Sequence, residues 1–483
     1  MSKEANGQEV GFVIEAKQYV LTLTGLPSAR INDIIVREGG GRAIVRSLAG
    51  DRLTALALDH GHPRAGERYM HLEEPHIFSL GDHLFGRVIN ILGESIDDGE
   101  AFPLGNTALS LDMDAPGIDV RVPIREQLHT GITMIDTVMP IAKGQRQLLF
   151  GSARNAKTEF LTDVVLNQET YGTICIYAMI GKSLSELERV QRRIVRADGK
   201  NILIAALSDQ SSPAIALAPS VAYMIADHFQ RKGAHVLVIL DDLDMHAKYL
   251  REIALLENRL PGRESYPGDL FYEHARLLER SGAFSASFGA GSITTLPVIN
   301  TDPYTSVGLV STNIMSCTDG HLSFLPSLAA EGYYPAISVE QSITRVGRQA
   351  QTLLQKQLSN QLRIILSAAR EQRRYSEFGT QISAVAERVL HQGNIIESMM
   401  RQTVGDRLHA SKQVPLLTLT LTPFLIERDI AFIAEHKRDL IDALGKVPQL
   451  QELADLALSN TPLQRYIKKM TEAESVFRSI CHV

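Results

Sequence analysis

The sequence contains no tryptophan and only three cysteines among its 483 residues. Cys175, Cys317 and Cys481 lie far apart and share no metal-ligand spacing, which excludes a disulfide framework or a zinc knuckle and indicates a reducing compartment. An excess of basic charge is also missing, since 49 Lys and Arg residues stand against 55 Asp and Glu residues, for a net charge of −6. This balance argues against general adhesion to nucleic acid or to an anionic membrane, although a local phosphate site remains compatible with it.

Long apolar runs are absent as well. No stretch approaches the ~20 apolar residues that cross a bilayer, and the opening MSKEANGQEVGF lacks the apolar core of a secretory signal. We therefore expect any work at a membrane to be done through partners. The content of 44% hydrophobic and 22% charged residues is that of a folded globular protein, and the length suggests about three domains.

Three regions of the chain differ in their pattern. Up to residue 72, short β-like runs are broken by Gly, Asp or Pro, as in a small barrel or sandwich. Over 73–349, apolar runs of strand length alternate with helix-like segments, which is typical of a parallel sheet covered by helices on both faces. Over 350–483, Leu and Ile recur at three- and four-residue intervals, which predicts amphipathic helices. We predict three domains with these boundaries: β, α/β and helical.

A candidate phosphate-binding loop follows the predicted strand RQLLFG and precedes a helix pattern. Its residues are Gly151, Ser152, Ala153, Arg154, Asn155, Ala156, Lys157 and Thr158. The P-loop template is Gly, four residues, Gly, Lys and Ser/Thr, and Ala156 stands where the second glycine belongs. Backbone N–H groups would hold the phosphates, with Lys157 on the β- and γ-phosphates and Thr158 on Mg²⁺. The methyl group of Ala156 is expected to weaken binding, or to forbid it if this position requires a positive φ.

An acidic pair, Asp241 and Asp242, ends the apolar run HVLVILDD further along the chain. A P-loop needs such a carboxylate at the end of a neighbouring strand, where it holds Mg²⁺. The alternative interpretation is that Ala156–Thr158 simply begins one helix and the aspartates cap another. The strand–loop–helix context together with the acidic pair favours the phosphate site.

The segments around these residues resemble the alpha subunit of F-type ATP synthases. From about Val10 to Gln402 the family's blocks follow in order, including TGITMIDTVMPIAKGQRQLLFG, the segment from ILDDLD through PGRESYPGD, and YYPAISVEQSITRVGRQAQ. The resemblance implies an N-terminal β-barrel and a central RecA-like P-loop nucleotide-binding domain with a mostly parallel sheet. It also implies a C-terminal helical bundle that faces a rotor.

Arg345 matches the family's arginine finger, and Ser342 matches a position required for activity. The finger would reach the catalytic site of a neighbouring beta subunit and stabilise charge on the transferring phosphoryl group. A catalytic beta subunit carries a glutamate base after the strand that follows the P-loop helix, and Lys182 stands at that position here. A lysine cannot serve as this base at neutral pH, so we expect Lys182 to meet phosphate or solvent. The resemblance thus implies an alpha-type, non-catalytic subunit.

Several positions depart from the family pattern. At the adenine end of the site, Gln402 matches one of two frequent glutamines and Val404 stands at the other. Gln381 and Ser383 stand where the family often has aspartates that contact the rotor. These departures predict weaker nucleotide binding and a modified rotor contact.

The resemblance implies a regulatory subunit that binds ATP or ADP with Mg²⁺ at its own site. Partners would be a catalytic beta-type subunit in a three-plus-three ring, a gamma-type central shaft and a peripheral stator, with no nucleic acid. The complex would be a proton- or sodium-translocating two-sector ATP synthase, a translocase. Its head would be peripheral to the cytoplasmic face of a bacterial membrane, with membrane contact only through the ion-translocating sector.

Two alternatives stay open. The chain could belong to a divergent paralogous rotary ATPase that works mainly as an ion pump, or its own nucleotide site could be a structural relic. A homohexameric secretion ATPase is disfavoured because no catalytic glutamate stands at position 182. A termination helicase is disfavoured because the chain lacks basic charge and an aromatic-rich RNA-binding barrel.

Overall fold

A computed structural model describes residues 9–59, 61, 63–71, 77–103, 105, 107–108, 114–152, 156–195, 199–301, 308–377 and 383–482. Within these ranges the chain divides into two compact units. The first unit is drawn from 1–123, 144–153 and 169–321, and the second from 124–143, 154–168 and 322–483. The phosphate loop predicted from the sequence therefore begins in the first unit and continues into the second.

The first unit opens with a closed six-stranded antiparallel barrel. Its strands are β1 (Val10–Lys17), β2 (Val20–Thr24), β3 (Ile34–Arg37), β4 (Arg42–Ala49), β5 (Arg52–Ala57) and β6 (Arg68–His71). They are hydrogen-bonded in the order β1-β2-β5-β4-β3-β6, and β6 pairs back onto β1. Alternate side chains such as Leu21 and Leu23 point inward and are fully buried, as expected for strands with one face toward a barrel core.

A mainly parallel sheet forms the rest of the first unit. The remaining strands of the first unit are β7 (Ile77–Phe78), β8 (Arg87–Ile89), β9 (Thr107–Ala108), β12 (Gln147–Gly151), β13 (Ile174–Lys182), β14 (Asn201–Leu207), β15 (His235–Asp241), β16 (Gly282–Ala283) and β17 (Ser292–Asn300). Of these, β7 and β9 form a separate two-stranded antiparallel sheet. Six others pair in parallel in the order β12-β17-β15-β13-β14-β8. β14 is buried along its whole length, which explains its uninterrupted apolar sequence.

Helices cover this sheet. They are α3 (Leu184–Ile194), α4 (Ser212–Arg231), α5 (Leu243–Leu256), α6 (Leu270–Leu278) and α7 (Leu309–Cys317). The longest of them, α4, starts at Ser212 and continues through the internal Pro219. The reason for this start is the cap: the Ser211 hydroxyl accepts a hydrogen bond from the amide of Ala214, and Pro213 occupies the first turn.

The second unit is mostly helical. Its strands are β10 (Gln127–Leu128), β11 (Ile141–Ala142), β19 (Ile337–Thr344) and most of β18 (Gly320–Phe324). Its helices are α1 (Thr133–Val138), α2 (Lys157–Gln168), α8 (Pro326–Ala330), α9 (Leu353–Glu377), α10 (Ala384–Met400), α11 (Ala410–Leu419), α12 (Pro423–Ile426), α13 (Ile430–Lys446), α14 (Pro448–Leu456), α15 (Leu463–Glu472) and α16 (Glu474–Ile480). The predicted classes of barrel, mostly parallel sheet and C-terminal helices are confirmed, while the exact domain boundaries stay a prediction.

Candidate functional site

Four parallel strands of the first unit end at one edge of its sheet. Gly151 at the end of β12 lies opposite Asn300 at the end of β17, and Met179 of β13 lies opposite Asp241 at the end of β15. Because carboxyl ends of parallel strands share an edge, the start of the phosphate loop and the acidic pair lie at the same edge. This is where open α/β sheets bind ligands.

Lys182 meets both predicted magnesium ligands at this edge. Its ammonium Nζ lies 2.8 Å from Asp241 Oδ1 and 3.6 Å from Asp242 Oδ2. Only 4% of Asp241 and 2% of Asp242 is exposed, and the Lys182 side chain is 12% exposed. We call these three residues the lysine–aspartate cluster. The expectation that Lys182 meets phosphate or solvent is wrong, because its ammonium instead pairs with two buried carboxylates.

The carboxylate oxygens of the cluster have further protein donors. Asp241 Oδ2 accepts a hydrogen bond from the Tyr177 hydroxyl at 2.8 Å. Asp242 caps α5 by accepting from the Met245 amide at 2.6 Å, and its other oxygen accepts from Asn300 Nδ2 at 2.5 Å. Capping, which the sequence offered as an alternative role for the aspartates, is therefore one role of Asp242. All four oxygens already have partners within the chain.

Charge attraction keeps Lys182 protonated. Burial disfavours the ammonium, but Asp241 and Asp242 outweigh that effect, so the pKa of Lys182 lies above its ordinary value. Burial raises the pKa of Asp242, and Lys182 opposes that rise. The cluster thus holds a fixed positive charge between two acids.

Glu186 does not replace the missing base. It completes a capping box at the start of α3, where its carboxylate accepts from the Ser183 amide at 2.9 Å and the Ser183 hydroxyl at 2.8 Å. Burial would raise the pKa of Glu186, but these hydrogen bonds and the charge of Lys182 hold it below its ordinary value. A weakened base tied into a helix cap is poorly suited to activate water.

The phosphate loop keeps its lysine at the start of a helix. Gly151 ends β12, Ala153, Arg154 and Asn155 lie outside the described residues, and α2 begins at Lys157. Lys157 is 5% exposed and Thr158 is half-buried. The chain therefore places the predicted phosphate ligand in the first turn of a helix, where backbone N–H groups favour anions.

Ala156 has a positive φ of 55°. This is the left-handed region, which glycine enters freely and an L-residue enters at a cost. The sequence left open whether position 156 requires a positive φ, and in the structure it has one. Alanine therefore stands where the backbone favours the glycine of the P-loop template.

Gln402 is a buried backbone clamp in the second unit. Its Oε1 accepts from the Thr133 amide at 2.7 Å, and its Nε2 donates to the carbonyls of Gly131 at 3.0 Å and Asp406 at 2.9 Å. Because these bonds occupy both ends of the side-chain amide, its predicted adenine contact stays a prediction. Val404 nearby is 48% exposed.

Sequence reasoning missed Asp163, which lies on α2. Its Oδ2 accepts hydrogen bonds from the Tyr334 hydroxyl at 2.5 Å and from the Gly405 amide at 2.8 Å. These bonds tie the 402–406 turn to the helix that carries Lys157. An aspartate on an otherwise apolar helix face was the available signal, because a buried carboxylate requires donors.

Arg345 follows the last residue of β19 and is exposed. Its guanidinium forms no hydrogen bond or ion pair with any residue that the structure describes. The strand end beneath it is anchored, since Thr344 donates to the Pro140 carbonyl at 2.9 Å. Ser342 is 3% exposed, donates to the Ser338 carbonyl at 2.5 Å and accepts from the Ser323 amide at 3.0 Å.

Only one of the two predicted rotor-contact positions lies among the described residues. Gln381 lies outside the described residues, whereas Ser383 caps α10 by accepting from the Ala386 amide at 3.2 Å.

Over the described parts of the chain, no helix is long and apolar enough to cross a membrane. The same residues contain no group of three or more His, Cys, Asp or Glu side chains arranged for a metal ion.

In this parallel sheet, β12 leads into the helix that begins with Lys157 and Thr158, and β15, separated from β12 by β17, ends at the aspartates. These features define the RecA-like P-loop class. Residues 131–344 match the ATP synthase alpha/beta family, nucleotide-binding domain, and residues 351–473 match the ATP synthase alpha/beta chain, C terminal domain. The chain belongs to this family, among the alpha subunits of F-type ATP synthases.

Similar proteins support this assignment over most of the chain. ATP synthase subunit alpha 2 of Nitrosospira multiformis is 32% identical over 444 residues, covering 91% of this chain and 86% of that protein. ATP synthase subunit alpha of Neorickettsia sennetsu is 31% identical over 478 residues, covering 95% and 93%. ATP synthase subunit alpha 1 of Dinoroseobacter shibae is 35% identical over 428 residues, covering 88% and 83%.

Proposed function

We propose that the chain is the non-catalytic, regulatory alpha subunit in the soluble head of a rotary ATP synthase. It would alternate with a catalytic beta-type subunit in a three-plus-three ring around a gamma-type shaft, held by a peripheral stator. The ring would couple to a proton- or sodium-translocating membrane sector. In this arrangement the chain reaches the membrane through partners, at the cytoplasmic face of a bacterial cell.

The exposed position of Arg345 is the observation that supports this proposal. An exposed guanidinium without a partner in the described chain, on an anchored strand end, is available to a neighbouring subunit. Arginine suits the task because it stays charged and donates to two phosphate oxygens at once. We assign it as the finger that stabilises charge on the phosphoryl group transferred in the beta site. Ser342, bonded within the second unit, would position the strand end that carries the finger.

The chemistry of position 182 supports a non-catalytic role for the chain's own site. The Lys182 ammonium has no lone pair with which to accept a proton from water. Its two aspartate partners keep it charged, and Glu186 is engaged in a helix cap. The proposed division of labour follows: beta hydrolyses or synthesises ATP, and this chain completes the site.

The chain's own site would bind ATP or ADP. Its parts are Lys157 in the first turn of α2, the N–H groups of that turn, and the loop from Gly151. Thr158 is the candidate ligand for Mg²⁺ among these residues. The lysine–aspartate cluster fits Mg²⁺ poorly, because its four oxygens already have protein donors.

The relic alternative is favoured by one observation, the positive φ of Ala156. If strain and the extra methyl group prevent phosphates from reaching the loop, the site is structural only and Arg345 alone links the chain to catalysis. Nucleotide titration of the isolated chain distinguishes the two cases.

The experiment is reconstitution with the cognate beta-type subunit. We expect the isolated chain to show no ATP hydrolysis, and the assembled ring to hydrolyse ATP. Replacing the P-loop lysine of beta should abolish turnover, whereas Lys157→Ala in this chain should leave a substantial rate. Turnover by the isolated chain that disappears in Lys157→Ala would show that the catalytic and non-catalytic roles are reversed.

A further inference from the structure

Arg345 lies on a short segment that is held against one backbone carbonyl. The Thr344 hydroxyl donates to the carbonyl oxygen of Pro140 at 2.9 Å. Gly347 is buried against the same oxygen, since a Cβ atom built on it would lie 1.7 Å from that oxygen and 2.5 Å from the carbonyl carbon. Only Arg345 and Val346 lie between these two contacts. All of these residues belong to the second unit.

The far end of this segment is fixed as well. Gln351 is 4% exposed, and its Nε2 donates to the carbonyl oxygens of Thr137 at 3.0 Å and Asp136 at 3.3 Å. Residues 344–351 are therefore bound at both ends to residues 136–140, which we call the arginine platform.

The arginine platform is itself firmly held. Asp136 is 1% exposed, and its carboxylate accepts hydrogen bonds from four donors. These are the Thr130 amide at 2.7 Å, the Thr130 hydroxyl at 2.8 Å, the Gly131 amide at 3.0 Å and Gln413 Nε2 at 2.9 Å. Because displacing a buried carboxylate would leave these donors unpaired, the platform is a fixed reference for the segment that carries Arg345.

Position 347 has no room for a side chain. The limit is space and not backbone conformation, because the φ of Gly347 is not among the positive values. Contacts of a Cβ atom below 3.0 Å essentially never occur, so alanine would have to move this turn by about 1.3 Å, from 1.7 Å to at least that distance. The obstacle is a backbone oxygen, which cannot rotate away as a side chain can. One residue separates Gly347 from Arg345, so the shift would reach the arginine.

We propose that Thr344 and Gly347 are positioning residues, which use the Pro140 carbonyl to hold Arg345 where its guanidinium can act in the beta site. The inference rests on the proposed function. An arginine finger stabilises the transition state only if its donors meet the charge that develops on the phosphoryl group. A misplacement of about 1 Å can cost about 10²-fold in rate, which is the size of shift that a side chain at position 347 would cause.

Steady-state ATP hydrolysis by the ring assembled with the beta-type subunit tests this inference. We expect Gly347→Ala to assemble and to lower kcat by about 10²-fold. Its KM for ATP should stay within about threefold of the wild type, because the finger acts in the transition state and not in substrate binding. Gly308→Ala is the matched control and should keep wild-type turnover. Gly308 has a φ of −65°, and no heavy atom lies within 4 Å of a Cβ atom added there.

A second pair of variants tests the other contact with the carbonyl. Thr344→Val removes the hydroxyl at nearly constant shape and should lower kcat by about threefold to tenfold, the size of one hydrogen bond. Thr344→Ser keeps the hydroxyl and should restore turnover close to the wild type. If gel filtration shows that Gly347→Ala does not assemble, this pair decides the question, and equal turnover in the two variants overturns the inference.

Combination with Arg345→Ala separates positioning from a merely structural role. If Gly347 acts through Arg345, adding Gly347→Ala to Arg345→Ala should change the remaining turnover by less than about threefold. A further loss of about 10²-fold in that background would overturn the inference.

The outcomes also separate this inference from the function on which it rests. An inactive Arg345→Ala ring beside a Gly347→Ala ring that keeps more than about a third of wild-type turnover overturns the inference alone. An Arg345→Ala ring that stays active overturns the inference together with the proposed function. Loss of turnover in Gly347→Ala that disappears in the Arg345→Ala background supports the inference.

Discussion

Replacing Ala156 with glycine removes one methyl group from the position where the loop meets α2. The backbone there has a φ of 55°, which costs an L-residue roughly 1–2 kcal/mol and glycine almost nothing. Glycine also increases the freedom of the unfolded chain, which costs about 0.4–1 kcal/mol. We therefore expect Ala156→Gly to change the free energy of unfolding by between about zero and +1.6 kcal/mol.

Ala384→Gly is a matched control, for which we expect the opposite sign. Ala384 is the first residue of α10 in the same unit, is exposed and follows the Ser383 cap. Its φ is not among the positive values, so Ala384→Gly should destabilise by about 0.5–1 kcal/mol, as glycine does in a helix. Urea denaturation of both variants beside the wild type measures the difference.

The same substitution should tighten nucleotide binding. Without the methyl group, the backbone N–H groups can approach the phosphates more closely, and one recovered charge-assisted hydrogen bond is worth about 1.5 kcal/mol, or about tenfold in affinity. Titration with ATP measures it, and Lys157→Ala, which should abolish binding, is the negative control. The reasoning fails if Ala156→Gly destabilises as much as Ala384→Gly and leaves affinity unchanged.

Two buried histidines should make the protein less stable in acid. His246 and His274 are buried with ring nitrogens 3.2 Å apart; burial lowers the pKa of His246 to about 4, and burial together with His246 lowers the pKa of His274 to about 3. In the unfolded chain these imidazoles bind protons below pH ~6.5, whereas in the folded protein they do so only near their lowered pKa values. The free energy of unfolding therefore keeps its full value above pH ~6.5 and decreases as the pH falls, by about 2 kcal/mol per histidine at pH 5. Urea denaturation at pH 7.5 and pH 5 measures the loss, which His274→Gln should reduce by about half; an unchanged pH dependence in that variant would contradict the assignment.

Local sequence pattern predicted much of the fold. The apolar runs of β14 and β15 were recognisable because a strand buried on both faces has no polar alternation. The long helix α9 was recognisable from its Leu and Ile spacing.

The site was harder to predict because it depends on which strands are neighbours. The sequence showed that Lys182 ends one strand and that Asp241 ends another, but not that β13 and β15 lie side by side. Their ion pair follows from that pairing and from burial, neither of which is a local property. The strain at Ala156 was foreseeable, since the P-loop template places a glycine there. The backbone clamp of Gln402 was not foreseeable, because its partners are distant in sequence.

Arg345 provides the most direct test of the central claim, that this chain completes a catalytic site on a neighbouring subunit. The measurement is steady-state ATP hydrolysis by the ring assembled with the beta-type subunit, after gel filtration confirms assembly. Loss of an arginine finger costs about 10³–10⁵ in turnover, so Arg345→Ala should be nearly inactive although assembled. Arg348→Ala, which removes a nearby arginine already bonded to Asn360, should keep turnover close to that of the wild type. An Arg345→Ala ring that retains more than about a tenth of wild-type turnover would contradict the account.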